Sequence, residues 1–132
     1  MSAIVDTSVW SLALRRNAPT SAASEQLRRL IAQDEVSIIG AIRQEILSGL
    51  RTSEQLIRLR DYLRAFPDLP LVQDDYETAA EFFNTCRRNG IQGSNTDFLI
   101  CAVSYRYNYP IFTTDQDFTH FQTHLPIVLF EP

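Results

Sequence analysis

The sequence predicts an α/β fold: a three-layer sandwich in which helices cover a central parallel sheet of about five strands. Short β-branched runs alternate along the chain with segments whose apolar residues recur at three- and four-residue steps. No two of these runs are joined by the tight turn of a β-hairpin, so the strands are expected to run parallel. The length of 132 residues fits a single domain over residues 1–132.

Five short apolar runs are predicted as strands because β-branched and aromatic residues favour extended backbone. The first contains Ile4 and Val5 and should be buried. The others are Glu35–Ile39, which Gly40 closes, then Pro70–Val72, Pro110–Thr114 and Ile127–Phe130.

Seven helices are predicted between and after these strands. The first is expected to begin near Val9, to be capped by Thr7 or Ser8, and to stop at a break over Asn17–Ser21. The others are predicted around Leu27–Ile31, over Ala41–Leu50, from Thr52 or Ser53 to Pro67, from Asp74 or Asp75 to Gly90, over Asp97–Val103 and over Gln116–Phe121. The segment after Asp97 is apolar nearly all round, which predicts a central, buried helix.

The cysteines and the hydropathy pattern indicate the compartment. Cys86 and Cys101 lie in helix-like segments among apolar neighbours, so we expect buried free thiols rather than a disulfide. No apolar run approaches the ~20 residues that span a membrane, and no basic leader precedes the first apolar residues. A cytoplasmic protein without a membrane partner is expected.

Acidic residues stand where the predicted strands end. Asp6 and Asp115 each follow a short strand, Glu45 comes about one helical turn after the second strand, and Asp97 opens the buried helix. The carboxyl ends of parallel strands meet at one edge of the sheet, where open α/β folds bind ligands. Asp6 alone could equally be a helix cap, but the other three acids favour a shared site.

The charge balance suggests what such a site would hold. The formal net charge is −4, all 12 basic residues are arginine, and lysine is absent. Carboxylates confined in one cleft raise each other's pKa and destabilise the fold unless a cation neutralises them. Ligands made only of oxygen suit Mg²⁺ or Mn²⁺ rather than Zn²⁺. A carboxylate-bound Mg²⁺ can promote in-line displacement at phosphate, which reconciles the acidic chain with a nucleic-acid substrate.

Four segments that carry these acids resemble the motifs of a known family. They are Ile4-Val5-Asp6-Thr7-Ser8, Glu45-Ile46-Leu47-Ser48-Gly49, Asp97-Phe98-Leu99-Ile100-Cys101-Ala102 and Thr113-Thr114-Asp115-Gln116-Asp117-Phe118. In this order and at this spacing they resemble the motifs of PIN-domain ribonucleases, in particular the VapC-type toxins of bacterial toxin–antitoxin pairs. The resemblance extends over essentially the whole chain.

The resemblance implies a function as well as a fold. It implies cleavage of single-stranded or structured RNA with Mg²⁺ or Mn²⁺, a homodimer, and a cognate antitoxin that blocks the site. By the same resemblance the catalytic, metal-binding acids would be Asp6, Glu45, Asp97 and Asp115, with Asp117 as an auxiliary metal-binding acid and Thr7 and Thr114 as polar supports.

Two residues depart from the family's pattern. Cys101 stands where alanine is usual, which should affect only packing. Arg43, two residues before Glu45, is an unusual charge near the expected site. It could bind an RNA phosphate or form a salt bridge to one of the acids, and the sequence leaves both interpretations open.

Two other classes of protein also fit part of this pattern. Receivers and aspartate-nucleophile phosphatases place acids at strand ends, but they normally hold the phosphoryl group with a lysine, which is absent here. A non-catalytic RNA- or protein-binding module with a degenerate acidic pocket is the remaining alternative. Degeneration usually removes acids, and here all of them are present, so the enzyme is favoured.

Overall fold

The computed structural model describes residues 2–14 and 20–131. Residues 17–19 of the predicted break at Asn17–Ser21 lie outside this part of the chain. In chain order the elements are β1 (Ala3–Val5), α1 (Thr7–Leu14), α2 (Ala22–Ala32), β2 (Val36–Ser37), α3 (Gly40–Leu47), α4 (Ser53–Leu63), α5 (Gln73–Arg88), α6 (Asn95–Tyr107), β3 (Ile111–Phe112) and α7 (Asp117–Gln122).

The sheet has β1 at its centre, with β2 on one side and β3 on the other, and both pairings are parallel. Ala3 pairs with Val36, and Val5 pairs with Phe112. All three residues of β1 are fully buried, as is usual for the central strand of a parallel sheet. The predicted α/β class with a parallel sheet is confirmed, whereas the division into three layers stays a prediction.

The prediction of about five strands is wrong, since the described residues form three. The expected strand at Pro70–Val72 makes no ladder. The chain touches the sheet just before it, through a single parallel bridge between Asp68 and Ile38 in which the Leu69 N–H donates to the Ile38 carbonyl over 2.8 Å. Proline has no N–H to donate, and prolines at positions 67 and 70 bound this contact and prevent its extension.

The expected fifth strand at Ile127–Phe130 also shrinks to one parallel bridge, between Leu129 and Ile111. The Ile111 N–H donates to the Val128 carbonyl over 2.9 Å, and the Phe130 N–H donates to the Ile111 carbonyl over 2.7 Å. β3 is only two residues long and follows Pro110. The Tyr109 N–H, two residues before Ile111, donates to the Ser104 carbonyl over 3.1 Å and is therefore not available to continue the ladder on that side.

All seven predicted helices have counterparts, but several begin differently. Thr7 and Ser8, predicted to cap α1, lie inside its first turn. The N-cap of α5 is Val72 rather than either predicted aspartate. Asp75 contributes from within that helix, because its carboxylate accepts a hydrogen bond from the Val72 N–H over 2.9 Å.

α6 is the central helix that the sequence predicts. It begins two residues before the predicted start because Ser94 caps it, accepting a hydrogen bond from the Asp97 N–H over 3.1 Å. Phe98 and residues 100–104 are buried. Together with β1 they form the middle of the hydrophobic core, so the start of α6 is held firmly where it borders the site.

Both thiols are free and buried, which confirms the prediction for Cys86 and Cys101. Burial raises the pKa of each above its ordinary value, and nearby charges, that of Asp97 foremost, add to the effect at Cys101. No helix in the described ranges combines the length and the apolar character needed to cross a membrane.

Gly93 allows α7 to approach the start of α6 closely. A Cβ at this position would lie 2.6 Å from the Phe121 ring and 2.9 Å from the Phe98 ring. These two rings are themselves in contact, with centroids 4.8 Å apart. A side chain at position 93 would separate the rings, so the glycine helps to hold the loop after β3 beside α6.

Candidate active site

Four of the predicted acids open onto one cleft of about 570 Å³. It lies at the sheet edge where β1 and β3 end, with walls from α1, α3 and α6. The lining residues are Asp6, Thr7, Ser8, Ala41, Gln44, Glu45, Ser48, Thr96, Asp97 and Asp115. Within the described part of the chain, every charged residue of this lining is an acid, so the cleft has a strongly negative field.

Asp6 joins the central strand to α1. Its N–H donates to the Phe112 carbonyl over 2.8 Å, and its own carbonyl accepts from the first turn of α1. Its side chain does something different: Oδ2 accepts hydrogen bonds from the Ser8 hydroxyl (2.9 Å) and the Thr113 hydroxyl (2.8 Å). The residue is 6% exposed. The backbone of Asp6 therefore starts the helix, while its carboxylate is held in the cleft rather than used as a cap.

Ser8 and Thr113 form a hydroxyl pair that the sequence reasoning missed, since it named Thr7 and Thr114. The Ser8 Oγ also accepts from the Thr114 N–H over 3.1 Å, and the Thr113 Oγ1 accepts from the Asp115 N–H over 3.0 Å. The pair thus ties the start of α1 to the loop after β3. The available signal was spacing, because each hydroxyl stands two residues from an acid.

Replacing Thr113 with valine should lower the free energy of unfolding by about 1–2 kcal/mol, because Asp6 loses a donor and the Asp115 N–H loses its acceptor. Thr113→Ser should keep most of the stability. Urea unfolding in chelator measures both variants, with Thr119→Val as a control, since that hydroxyl bonds only locally on α7. Equal losses in Thr113→Val and Thr119→Val would contradict the assigned role.

Glu45 reaches the cleft from α3. Thr7, at the start of α1, donates its hydroxyl to Glu45 Oε1 over 2.7 Å. Glu45 is exposed, in contrast to the buried Asp6. Thr7 therefore holds the most solvent-accessible of the four acids against the opposite wall. Its role as a polar support of a metal site stays a prediction.

Asp97 lies at the third position of α6 and is half-buried. Its Oδ2 accepts from the Ser94 N–H over 3.0 Å, which completes a capping box with the Ser94 hydroxyl. Burial raises the pKa of the Asp97 carboxyl, the hydrogen bonds from Ser94 oppose the shift, and the charges of Asp6 and Asp115 raise it further. The charges of Asp6 and Asp115 thus add to burial in disfavouring the ionised form of Asp97.

Asp115 follows β3 and lines the cleft, whereas Asp117 does not. The Asp117 N–H donates to Asp115 Oδ1 over 2.9 Å. The side chain of Asp117 lines a separate depression that it shares with Gln92 and His120. Its backbone therefore positions Asp115, and its role as an auxiliary metal-binding acid stays a prediction.

Arg43 is turned away from the cleft, although only two residues separate it from Glu45. Its guanidinium donates to Asp68 Oδ1 over 2.9 Å, to the Leu63 carbonyl over 3.0 Å and to the Phe66 carbonyl. The salt bridge that the sequence left open is thus made to Asp68 instead of a site acid. Phosphate binding by Arg43 stays a prediction, and it would require these bonds to break.

Each of the four acids has one carboxylate oxygen to which no described residue donates a hydrogen bond. The described residues donate hydrogen bonds to Asp6 Oδ2, Glu45 Oε1, Asp97 Oδ2 and Asp115 Oδ1, and to none of the other four oxygens. These oxygens are the donor type that Mg²⁺ and Mn²⁺ prefer. No three acidic, histidine or cysteine side chains of the described residues are close enough to hold a metal as they stand. The donor chemistry fits such an ion, and side-chain rotation would have to complete the coordination.

Comparison with protein families assigns the chain. A family model described as "PIN domain" matches residues 3–123, a span that contains every residue lining the cleft. The chain belongs to the PIN-domain family. A search of curated proteins found no match.

Solved structures share the PIN-domain architecture over nearly the full chain. VapBC2 from Rickettsia felis, bound to a DNA fragment from its promoter, has a TM-score of 0.78 at 18% identity and covers 99% of this chain and 98% of that chain. FitAcB from Neisseria gonorrhoeae has a TM-score of 0.76 at 21% identity, with 98% and 96% covered. VapBC-5 from Mycobacterium tuberculosis, a member of the VapBC family of toxin–antitoxin systems, has a TM-score of 0.67 at 18% identity, with 98% of each chain covered. At these identities the likeness establishes the PIN fold.

Proposed function

We propose that this PIN-domain protein is a metal-dependent endoribonuclease and the toxin of a VapC-type toxin–antitoxin pair. The observation that carries the proposal is the cleft itself. Four carboxylates from different parts of the chain line it, and each has an oxygen that accepts no hydrogen bond from the described residues. Carboxylates gathered in one cleft repel one another and destabilise the fold. Such a cluster is therefore expected where a bound cation neutralises it or where catalysis uses it.

In this proposal Asp6, Glu45, Asp97 and Asp115 hold Mg²⁺ or Mn²⁺, with Asp117 as the auxiliary acid. Such an ion, when bound, lowers the pKa of water and stabilises the charge of a phosphate under in-line attack. The chain's own part is to fix the acids. The hydroxyls of Ser8 and Thr113 orient Asp6, while backbone N–H groups orient Asp97 and Asp115. Hydrolysis would leave a 3′-hydroxyl and a 5′-phosphate.

The partners follow from the same family. Structural neighbours include toxin–antitoxin complexes, one of them with promoter DNA. We propose a cognate antitoxin that covers the cleft, a homodimer, and action on RNA in the cytoplasm. An antitoxin group with positive charge would suit the acidic lining, because the described residues supply no cation there.

One observation favours the alternative of a non-catalytic RNA- or protein-binding module. No ready-made cluster of three metal-ligating side chains exists among the described residues. The enzyme is nevertheless preferred, since all four acids line one cleft.

Cleavage of a total-RNA pool by the purified full chain tests the proposal. We expect fragments with Mg²⁺ or Mn²⁺ and none in chelator, and inhibition when the product of the adjacent reading frame is added. Glu45→Gln should lose cleavage, whereas Glu77→Gln, a change of the same kind on α5 away from the cleft, should not. RNA binding without cleavage in either metal would support the module instead.

Metal should also stabilise the folded protein, since only the assembled cleft brings the four acids together. An ion present at 100 times its Kd would add about 2.7 kcal/mol to the free energy of unfolding. Thermal unfolding with 0–10 mM metal (roughly the range for oxygen-ligand sites of modest affinity) measures this as a rise in Tm. Asp74→Asn, which removes an exposed acid outside the cleft, should keep the rise. An unchanged Tm of the wild type would contradict metal binding.

A further inference from the structure

A second groove adjoins the acidic cleft and shares one residue with it. It holds about 340 Å³ and lies between the first half of α5 and the start of α6. Its lining is Tyr76, Ala79, Ala80, Asn95, Thr96 and Leu99, and Thr96 also lines the cleft. Thr96 is the neighbour of Asp97 in sequence, so their Cα atoms are about 3.8 Å apart. The groove therefore begins within one residue of a site acid.

The chemistry of this groove differs from that of the cleft. Among the described residues, none that lines it is charged. Ala79, Ala80 and Leu99 give it apolar surface, and Tyr76 is 58% exposed, so its ring is accessible to a ligand. Asn95 is exposed, and its side-chain amide makes no hydrogen bond to the described residues. An aromatic face beside a free amide suits a flat, neutral ligand with polar edges.

We infer that the groove holds an unpaired nucleobase of the RNA, next to the phosphate that is cleaved; this inference rests on the proposed function. If a phosphate of the RNA lies in the cleft, the nucleotide attached to it must lie next to the acids. Beside Asp97 the surface that this nucleotide meets is the groove. The base stacks on Tyr76, and the Asn95 amide contacts its edge. A base within a duplex is already stacked and paired, so the strand must be single at this nucleotide.

The lining of the groove indicates which part of a nucleotide it would bind, the phosphate or the base. A phosphate is held most tightly by charged donors such as arginine, and the described part of the chain places no arginine in the lining of the groove. A base needs an apolar face and a few polar groups, which the groove supplies. In this arrangement the cleft binds the phosphate near the acids, and the groove on the other side of Thr96 binds the base of the adjoining nucleotide.

The test measures binding and cleavage separately. Affinity for a fluorescent single-stranded RNA is measured in the Asp97→Asn background, so that the RNA stays intact. Tyr76→Ala should weaken binding roughly 5- to 100-fold, the range that loss of one base–aromatic stack corresponds to. Tyr76→Phe should bind like the parent. The matched control is Tyr105→Ala, since Tyr105 is 56% exposed but lines a different groove.

An abasic nucleotide in the RNA sharpens the test. Cleavage mapping with the wild type gives the scissile position, and each flanking nucleotide is then made abasic in turn. At one position the abasic RNA should bind as weakly as normal RNA binds Tyr76→Ala, and combining both changes should add little further loss. Asn95→Ala should reduce the preference for one base at that position alone.

The outcomes separate this inference from the proposed function. If the wild type cleaves RNA but Tyr76→Ala binds and cleaves equally well, the groove does not hold a base although the nuclease stands. If Tyr76→Ala instead converts a dimer to a monomer in light scattering, the groove faces a second copy and the inference is overturned. If the wild type cleaves no RNA, the proposed function fails, and the binding measurements still judge the groove.

Discussion

Replacing Asp97 with asparagine is expected to abolish RNA cleavage while leaving the protein folded and more heat-stable. The change keeps an oxygen that can accept from the Ser94 N–H, so the capping box at the start of α6 survives. It removes one negative ligand from the cleft. Loss of several kcal/mol of transition-state stabilisation corresponds to a decrease in kcat of more than about 100-fold.

The gain in stability follows from the pKa of Asp97. Burial raises that pKa above the ordinary 3.8, and the charges of Asp6 and Asp115 raise it further against the hydrogen bonds from Ser94. The folded protein therefore binds this proton more tightly than the unfolded chain. The stability that Asp97 contributes is full below pH 3.8 and is lost as the pH rises through the raised value. At pH 7 in chelator the asparagine variant should have the higher Tm, and the difference should shrink towards acid pH.

Cleavage rates with Mg²⁺ and Mn²⁺, together with thermal unfolding in chelator from pH 3 to 8, measure both effects (a range of roughly one unit below the carboxyl pKa to neutrality). Asp74→Asn is the matched control, because it removes the same charge at an exposed site outside the cleft. Cleavage by Asp97→Asn at the wild-type rate would exclude Asp97 from the catalytic site. A Tm below that of the wild type at pH 7 would contradict the assigned electrostatic strain.

Replacing Arg106 with alanine is expected to lower the free energy of unfolding by about 2–4 kcal/mol. Arg106 donates two hydrogen bonds to the Asp75 carboxylate, of 2.7 and 2.8 Å, and a third to the Pro70 carbonyl over 2.9 Å. Asp75 is 2% exposed, so the truncation leaves a buried carboxylate without its cation. The estimate is below that for a fully buried pair because Arg106 is 37% exposed and water screens its charge.

The pH dependence identifies the cause of this loss. Burial alone would raise the pKa of Asp75, but the hydrogen bonds from Arg106 and the Val72 N–H outweigh it and hold that pKa below the ordinary 3.8. The stability that the pair contributes is therefore present above pH 3.8 and is lost as the pH falls through the lowered value. The gap between wild type and Arg106→Ala should be widest near pH 7 and narrow in acid.

Urea unfolding at several pH values measures this gap. Arg60→Ala is the control, because Arg60 pairs with Asp61 where both side chains are exposed, and its loss should cost less than about 1 kcal/mol. Arg106→Lys should recover only part of the stability, because lysine keeps the positive charge but not the planar pair of hydrogen bonds from the guanidinium to Asp75. Equal effects of Arg106→Ala and Arg60→Ala would show that burial of Asp75 adds nothing.

The parts of the fold that sequence could predict are those that depend on local pattern. Ile4 and Val5 predict a buried strand, and the apolar residues after Asp97 predict a buried helix. Acids placed at strand ends could be collected into one site, because parallel topology brings those ends together. The structure does bring Asp6, Glu45, Asp97 and Asp115 to one cleft.

The sequence was least informative where the outcome depends on distant partners. Leu71 and Val72 have strand-forming side chains, yet a ladder also needs free N–H groups: Pro70 has none, and the Val72 N–H donates to Asp75. Arg43 stands beside Glu45 in sequence, but its direction was decided by Asp68 and by two carbonyls at the end of α4. Thr113 supports Asp6 across 107 residues, a contact that no local pattern contains.

The burial of both native thiols has a practical consequence for experiments. The thiolate is the form of cysteine that reacts with thiol reagents, and Cys86 and Cys101 are buried with raised pKa values. A single cysteine introduced at exposed Ser48, on the rim of the cleft, should therefore take a fluorophore or spin label without removal of either native cysteine. The wild-type core then serves unchanged as the background in which arrival of a metal, an RNA or an inhibitor protein at the cleft can be followed in real time.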